Sequence, residues 1–430
     1  MYRALTLIFC KLIACSVLAQ NWSITEVANL PEPVSNNAVC EGFSTEGIFI
    51  YSFAGIDSSL TYSGIHLKTW RMNTQTLQIE QLPDVPDTLG KVAAGASRVG
   101  NIIYVIGGYH VLANGNEISS NRVHRFDISQ NQFISDGSPI PVPIDDHVQA
   151  VYQDSLIFVV TGWSNTGNVP DIQIYNTFTN TWQVGTSTPN SAVYTCFGAS
   201  GEILGDTIYY FGGAGGFNFG AQSRLRKGYI NPSNPTDISW SISESIPAFT
   251  AYRAAACKTA SAVHWLGGSN VTYNFDAIAY NGSGLVQPAN QTMFYVPNSG
   301  LLGKEESVQL PMDLRGVGNV SQTQKYLIGG ITTNGTVSSS ILKLDYEGTL
   351  SIQETQKYSN PFLSPNPTSN QVFSTVSGEL EVFDSKGALV LSKEILKASV
   401  IEINSLQTGL YFAQLKNDKS IFRQRLIISE

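Results

Sequence analysis

Six short apolar runs recur along this chain, and each leads into glycine: 47–55 (GIFIYSFAG), 101–109 (NIIYVIGGY), 155–162 (SLIFVVTG), 206–213 (DTIYYFGG), 261–268 (SAVHWLGG) and 324–330 (QKYLIGG). The last glycines of the runs, Gly55, Gly108, Gly162, Gly213, Gly268 and Gly330, lie about 51 to 62 residues apart, so the chain is a repeat array and not one core. None of the runs alternates cleanly between apolar and polar residues. A strand of that kind has both faces covered. Four runs end in a doublet, Gly107-Gly108, Gly212-Gly213, Gly267-Gly268 and Gly329-Gly330, whereas Ala54-Gly55 and Thr161-Gly162 depart from it. Glycine there accepts a positive φ and lets another backbone come close.

After each run comes a polar loop, then a strand with an aromatic or apolar residue and its counterpart seven positions on: Phe126 and Phe133, Tyr175 and Trp182, Trp70 and Leu77. Polar Asn, Asp, Ser and Thr between the members predict hairpins. The fourth copy stretches this unit between Tyr229 and Trp240, and the sixth, LKLDYEGTLS, is degenerate. A glycine doublet followed by a tyrosine-type and then a tryptophan-type residue resembles the kelch repeat. The resemblance implies an all-β, six-bladed propeller over 20–356. Ring closure then needs an outer strand for the sixth blade, and two segments compete: the first mature residues, NWSITEVANLP, and 349–354, TLSIQE.

Composition narrows the class. Of the 430 residues only 13% are charged, below the ~25% of an average soluble chain, and the formal net charge is -8, which argues against nucleic acid. Residues 1–19 read as a secretory signal cleaved before Gln20, although Leu12-Ile13-Ala14-Cys15 also fits a lipoprotein box. Beyond it stand Cys40, Cys196 and Cys257, an odd number, read as buried small hydrophobes and not a disulfide framework. No spacing of histidines or cysteines suggests a metal site or a cofactor.

After Tyr346 the repeat stops, and 359–370 (SNPFLSPNPTSN) is a proline-punctuated linker. Short strands follow, at the spacing of a small Ig-like β-sandwich over 357–430. Pro365-Asn366-Pro367-Thr368, the VFDSKG turn, Thr408-Gly409-Leu410-Tyr411-Phe412 and the basic-apolar ending resemble the type A sorting domain of the type IX secretion system. That resemblance implies Gly409 and Tyr411 as part of a sorting motif, export from a Gram-negative bacterium, and secretion or surface attachment. The export machinery is the implied partner; Lys416, Lys419, Arg423 and Arg425 read most simply as a solvated face, which the resemblance would make a docking site for it.

A propeller gathers its loops at one mouth. Candidate ligand residues there are Tyr109, His110, Trp163, Phe217, Phe219, Arg253 and Arg315, aromatics and cations suited to a sugar ring or a protein partner. Arg253 and Arg315 precede innermost strands, where an Arg that ties blades together is the competing reading. Asp145-Asp146-His147 reads as a solvated loop sooner than a general-base pair. No catalytic constellation emerges, so the expected function is an exported binding protein. The alternatives are a carbohydrate enzyme, since some secreted kelch proteins are sialic-acid mutarotases, with Glu41 as a weak further candidate, or a structural part of the envelope. The longest irregular stretch is expected at 281–306.

Overall fold

The six apolar runs form the second strands of six antiparallel sheets, four of them four-stranded and two, those of the second and fourth runs, carrying a short fifth strand. The computed structural model describes residues 22–306, 308–347 and, further on, 363–429 apart from 365, 375, 385–387, 397–398 and 418–419. The chain divides into two compact units, Met1–Leu350 and Ser351–Glu430. Among the described residues there is no α-helix, and no helix long and apolar enough to cross a membrane. The expected signal segment and the segment 349–354 lie outside the described residues.

In the first unit the innermost strands are Ala38–Ser44, Val92–Val99, Val148–Tyr152, Phe197–Leu204, Ala255–Lys258 and Gly318–Asn319. Six apolar clusters hold the sheets together, one between each pair of neighbours around the ring. This arrangement explains the unbroken apolar runs, since a blade covered on both sides has no polar face. The sixth blade is completed by the amino-terminal strand Trp22–Asn29, which pairs with Ser340–Tyr346 in the register Trp22 to Tyr346 and Asn29 to Ser340. Trp22 anchors this latch: its indole N–H donates to His264 Nδ1 at 3.4 Å, and its ring lies 5.0 Å from that of Tyr346.

All ten repeat glycines have positive φ. Close approach adds a second constraint at Gly212, where φ is 72° and a Cβ would stand 1.9 Å from the Ala251 carbonyl oxygen. The predicted hairpin pairs Phe126/Phe133 and Tyr175/Trp182 are direct cross-strand neighbours. In the first blade, however, Trp70 faces Gln81 and Leu77 sits in the turn, because that loop is longer. In the fourth, Trp240 faces Gly228, one residue from Tyr229. Cys40, Cys196 and Cys257 are buried free thiols.

The second unit packs two sheets, Leu363–Ser364, Gln371–Ser374 and Val400–Glu402 against a four-stranded one ordered Leu389–Ile395, Gly378–Phe383, Gly409–Asn417, Ser420–Ile428. Leu380, Val382, Leu415 and Leu426 are among its fully buried core residues. Asn366 of the Pro-Asn-Pro motif ties the last strand down, donating to Arg425 O at 2.6 Å and accepting from Ile427 N–H at 2.8 Å. The Tyr411 hydroxyl donates to Gln407 O at 2.9 Å.

Candidate functional site

The loops that leave the glycine runs and the loops that lead into the innermost strands meet on one face, as bridges at Ser35/Ile56, Asp145/Trp163, Tyr252/Ser269 and Met312/Ile331 show. At this end the blades are joined by a closed circle of backbone hydrogen bonds. The N–H groups of Asn36, Ala93, Asp146, Gly198 and Arg253 each donate to the preceding blade, at 2.8 to 3.4 Å, and Leu314 N–H donates to Arg253 O at 2.9 Å. Asn36, Ala93, Asp146, Gly198, Arg253 and Asp313 all take positive φ to do so.

Two arginines reach across this circle. Arg253, 1% exposed, grips Asp146 in a fork (Nε to Oδ1 3.1 Å, Nη2 to Oδ2 2.6 Å) and donates through Nη1 to Asp313 Oδ1 at 3.1 Å. Burial opposes the guanidinium charge, but Asp146, together with Tyr252, Tyr109 and Asp313, outweighs it and holds Arg253 well above its ordinary pKa. Burial pushes the Asp313 carboxyl up despite Arg253, and Ser35 Oγ donates to it at 2.6 Å. Arg315 runs from the sixth blade to the third, opposite it, donating to His147 O at 2.8 Å and lying 3.5 Å from Asp146 Oδ1. The charges therefore plug the bore and bind four blades to one another.

Above the plug lies a feature that periodicity did not announce. The irregular stretch is not 281–306, since Gln291–Val296 and Leu301–Glu306 are regular strands of the fifth blade. It is the segment between Val263–Leu266 and Gln291–Val296, which folds across the mouth. Tyr273, Ala277, Ala279 and Val286 pack with Phe197 of blade four and Ile331 and Val337 of blade six, while Phe275 joins Ile56, Val92 and Tyr109 of blades one and two. Thr272 Oγ1 donates to Phe219 O at 2.6 Å, and Gln287 Oε1 accepts from Asn334 N–H at 2.9 Å.

This cap determines where the candidates sit. Tyr109 is buried beneath it, and burial drives its phenol pKa well up. Trp163 and Phe219 are half-buried and meet edge to face at 5.4 Å, with Tyr280 of the cap 5.1 Å from Phe219. Phe217 alone of the seven is open, at 98% exposure. His110 is buried elsewhere, in a charged network that sequence reasoning missed. There Lys91 Nζ lies 2.7 Å from Asp87 Oδ2 and 3.0 Å from His124 Nε2, His124 Nδ1 lies 3.1 Å from Asp136, and His110 Nδ1 bonds Gly90 O at 2.8 Å. Burial opposes ionisation of Asp87, but His124 and Lys91 hold it far below the usual carboxylate range. The network joins the loop leaving blade one to blade two. Asp145, also buried, accepts from Ser119 Oγ at 2.6 Å, and burial beside Asp146 pushes it well up.

The solvated-loop reading of Asp145-Asp146-His147 is corrected by this packing, since all three are buried. Burial, reinforced by Arg315, brings the His147 pKa down to about 4, and burial brings His264 down to about 3. Both fold as neutral rings, so their stabilisation is complete above the ordinary pKa near 6.5 and falls as pH drops below it. Each is expected to cost about 2 kcal/mol by pH 5. Urea unfolding followed from pH 7 to pH 5 checks this, and the slope should flatten in a His147→Asn chain.

Residues 91–135 match the Kelch motif family, and residues 363–429 match the secretion system C-terminal sorting domain family. The chain is a kelch-repeat propeller with a carboxyl-terminal sorting domain. Such a domain marks a protein exported by the type IX route, secreted or held at the cell surface. The kelch propeller is similar to Kelch-like protein 36 of Rattus norvegicus and of Mus musculus, each 25% identical over 173 residues. That match covers 40% of this chain and 26% of each relative, so it spans about a quarter of their length. Among solved structures, that of YjhT shares the fold, with a TM-score of 0.58 at 14% identity over 73% of this chain and 95% of that one. Among the described residues of the kelch protein, no group of three or more His, Cys, Asp or Glu converges to hold a metal.

Proposed function

We propose that this exported kelch protein is a binding protein whose capped propeller face takes a ligand, and that the ligand is a protein surface. The observation that carries the reading is the set of apolar side chains on loops of this one face. Tyr62 of blade one, Ile118 of blade two, Phe217 of blade four and Ile278 and Leu285 of the cap are all exposed. Isolated exposed apolar residues are ordinary, but several on the loops of one face suit a partner. Because the cap fills the mouth, the face offers breadth in place of a pocket that would enclose a small sugar. A glycan stacked on Phe217 or Tyr62 is the alternative ligand.

The test is a screen of the full chain against a glycan array and against purified surface proteins of the same cell, with sialic-acid anomerisation followed by NMR on the same sample. Saturable binding to a protein, weakened about ten-fold or more in Phe217→Ala/Tyr62→Ala with unchanged melting, is the expected result. Binding indifferent to both substitutions would remove the face from consideration. Anomerisation above the uncatalysed rate would replace the binding reading with an enzyme.

A further inference from the structure

The sorting domain carries a second unpartnered surface, independent of the propeller face. In its four-stranded sheet, Leu380, Val382, Ala413, Leu415, Leu426 and Ile428 point into the core. The alternate residues point outward, where an antiparallel sheet ordinarily meets water with polar side chains. At one end of the sheet they do not. Leu389, Phe383, Phe412 and Arg425 stand directly opposite one another across all four strands, and Leu410 faces Ile427 in the adjoining row. Leu389, Leu410 and Phe412 are each about half exposed. The other end of the same face is ordinary, with Glu379 opposite Glu394, and Glu381 paired to Lys416 at 2.8 Å.

Leu410 and Phe412 belong to the Gly409-Leu410-Tyr411-Phe412 stretch on which the likeness to sorting domains rests. The fold accounts for only part of that stretch, because Tyr411 packs against the core while its two neighbours face solvent. The geometry points to this apolar row as the surface that the export machinery grips. The partner it fits is an apolar patch or strand with an acidic group at one side, placed to meet the exposed Arg425. The partner follows from the sorting-domain match, not from the ligand reading of the propeller, so either idea stands if the other fails.

The experiment places the full chain in a Gram-negative bacterium with a working type IX system and measures secreted against cell-retained protein. Leu410→Ser/Phe412→Ser is expected to cut the secreted fraction about ten-fold or more, as loss of a central aromatic anchor does at other interfaces. Phe412→Leu, which keeps an apolar surface, should export normally, and so should Glu379→Gln/Glu394→Gln at the charged end. Melting and limited proteolysis of the retained protein establish that the double variant is folded. Should it unfold, Leu389→Ser on the edge strand provides the same reading with its core contacts intact. A folded variant exported like the parent overturns the proposal. Equal loss with the charged-end variant does so too, as does a parent dimer that the variant dissolves with export unchanged.

Discussion

Replacing Arg253 with leucine is expected to lower the folding stability of the propeller by about 3–5 kcal/mol at neutral pH, the cost of leaving a buried charge without its partner. Arg253 is the only cation that bonds both Asp146 and Asp313 among the described contacts, and both carboxylates are almost wholly buried. Leucine fills much of the volume, so the loss measures charge more than packing. The sign of its pH dependence follows from Asp313, whose pKa burial already raises. A raised carboxyl stabilises the fold below its unfolded value and loses that contribution as pH climbs through the folded one. The deficit of the leucine chain should therefore shrink as pH falls from 7 toward 4. Urea titrations at both ends of that range check it, and a deficit under about 1 kcal/mol would mean that the plug holds the blades together by packing alone. Arg253→Lys should recover part of the loss but not all, because an ammonium cannot make the fork to Asp146.

The second large effect belongs to the latch. Trp22→Ala removes a nearly buried indole from the contact with His264 and Tyr346, and a loss of about 3–5 kcal/mol is expected. Deleting 22–29 goes further, since it strips Ser340–Tyr346 of its partner and leaves a row of open N–H and C=O groups at a sheet edge. Light scattering of the deleted chain should show assemblies in place of monomers, and a synthetic peptide of residues 22–29 should reverse them. A deleted chain that stays monomeric and melts like the parent would show that the ring closes without its latch.

The propeller was legible from the sequence because its signals are local and repeated. Glycine at each run's end answers a backbone need such as that at Gly212, and the spacing of Phe126 to Phe133 is set by a short hairpin. The latch was legible as one of two choices, since WSIT and WSIS share a pattern but pairing over the length of the ring leaves no local trace. The site was much less so. Arg253 and Asp146 each stand out in the sequence, but they pair across 107 residues, and no local pattern marks Asp313 as their partner. The cap escaped because its sequence, SNVTYNFDAIAYNGSGLVQPAN, has neither periodicity nor strand character, and its burial comes from packing against four other blades. In the sorting domain the motif was plain, but which of its apolar residues face outward depends on strand register, which a one-residue slip would reverse.

The latch also sets a schedule. Trp22–Asn29 is the first described strand to be synthesised, and its partner Ser340–Tyr346 follows some three hundred residues later, the Asn29 to Ser340 bond spanning 311. At the ~5–20 residues per second of synthesis, the opening strand waits roughly 15 to 60 s before it has anything to pair with. Until Ser340–Tyr346 is made, the ring cannot close through this strand. The wait is written into the order of the chain: closure comes last, and the first described strand made is the last to find its place.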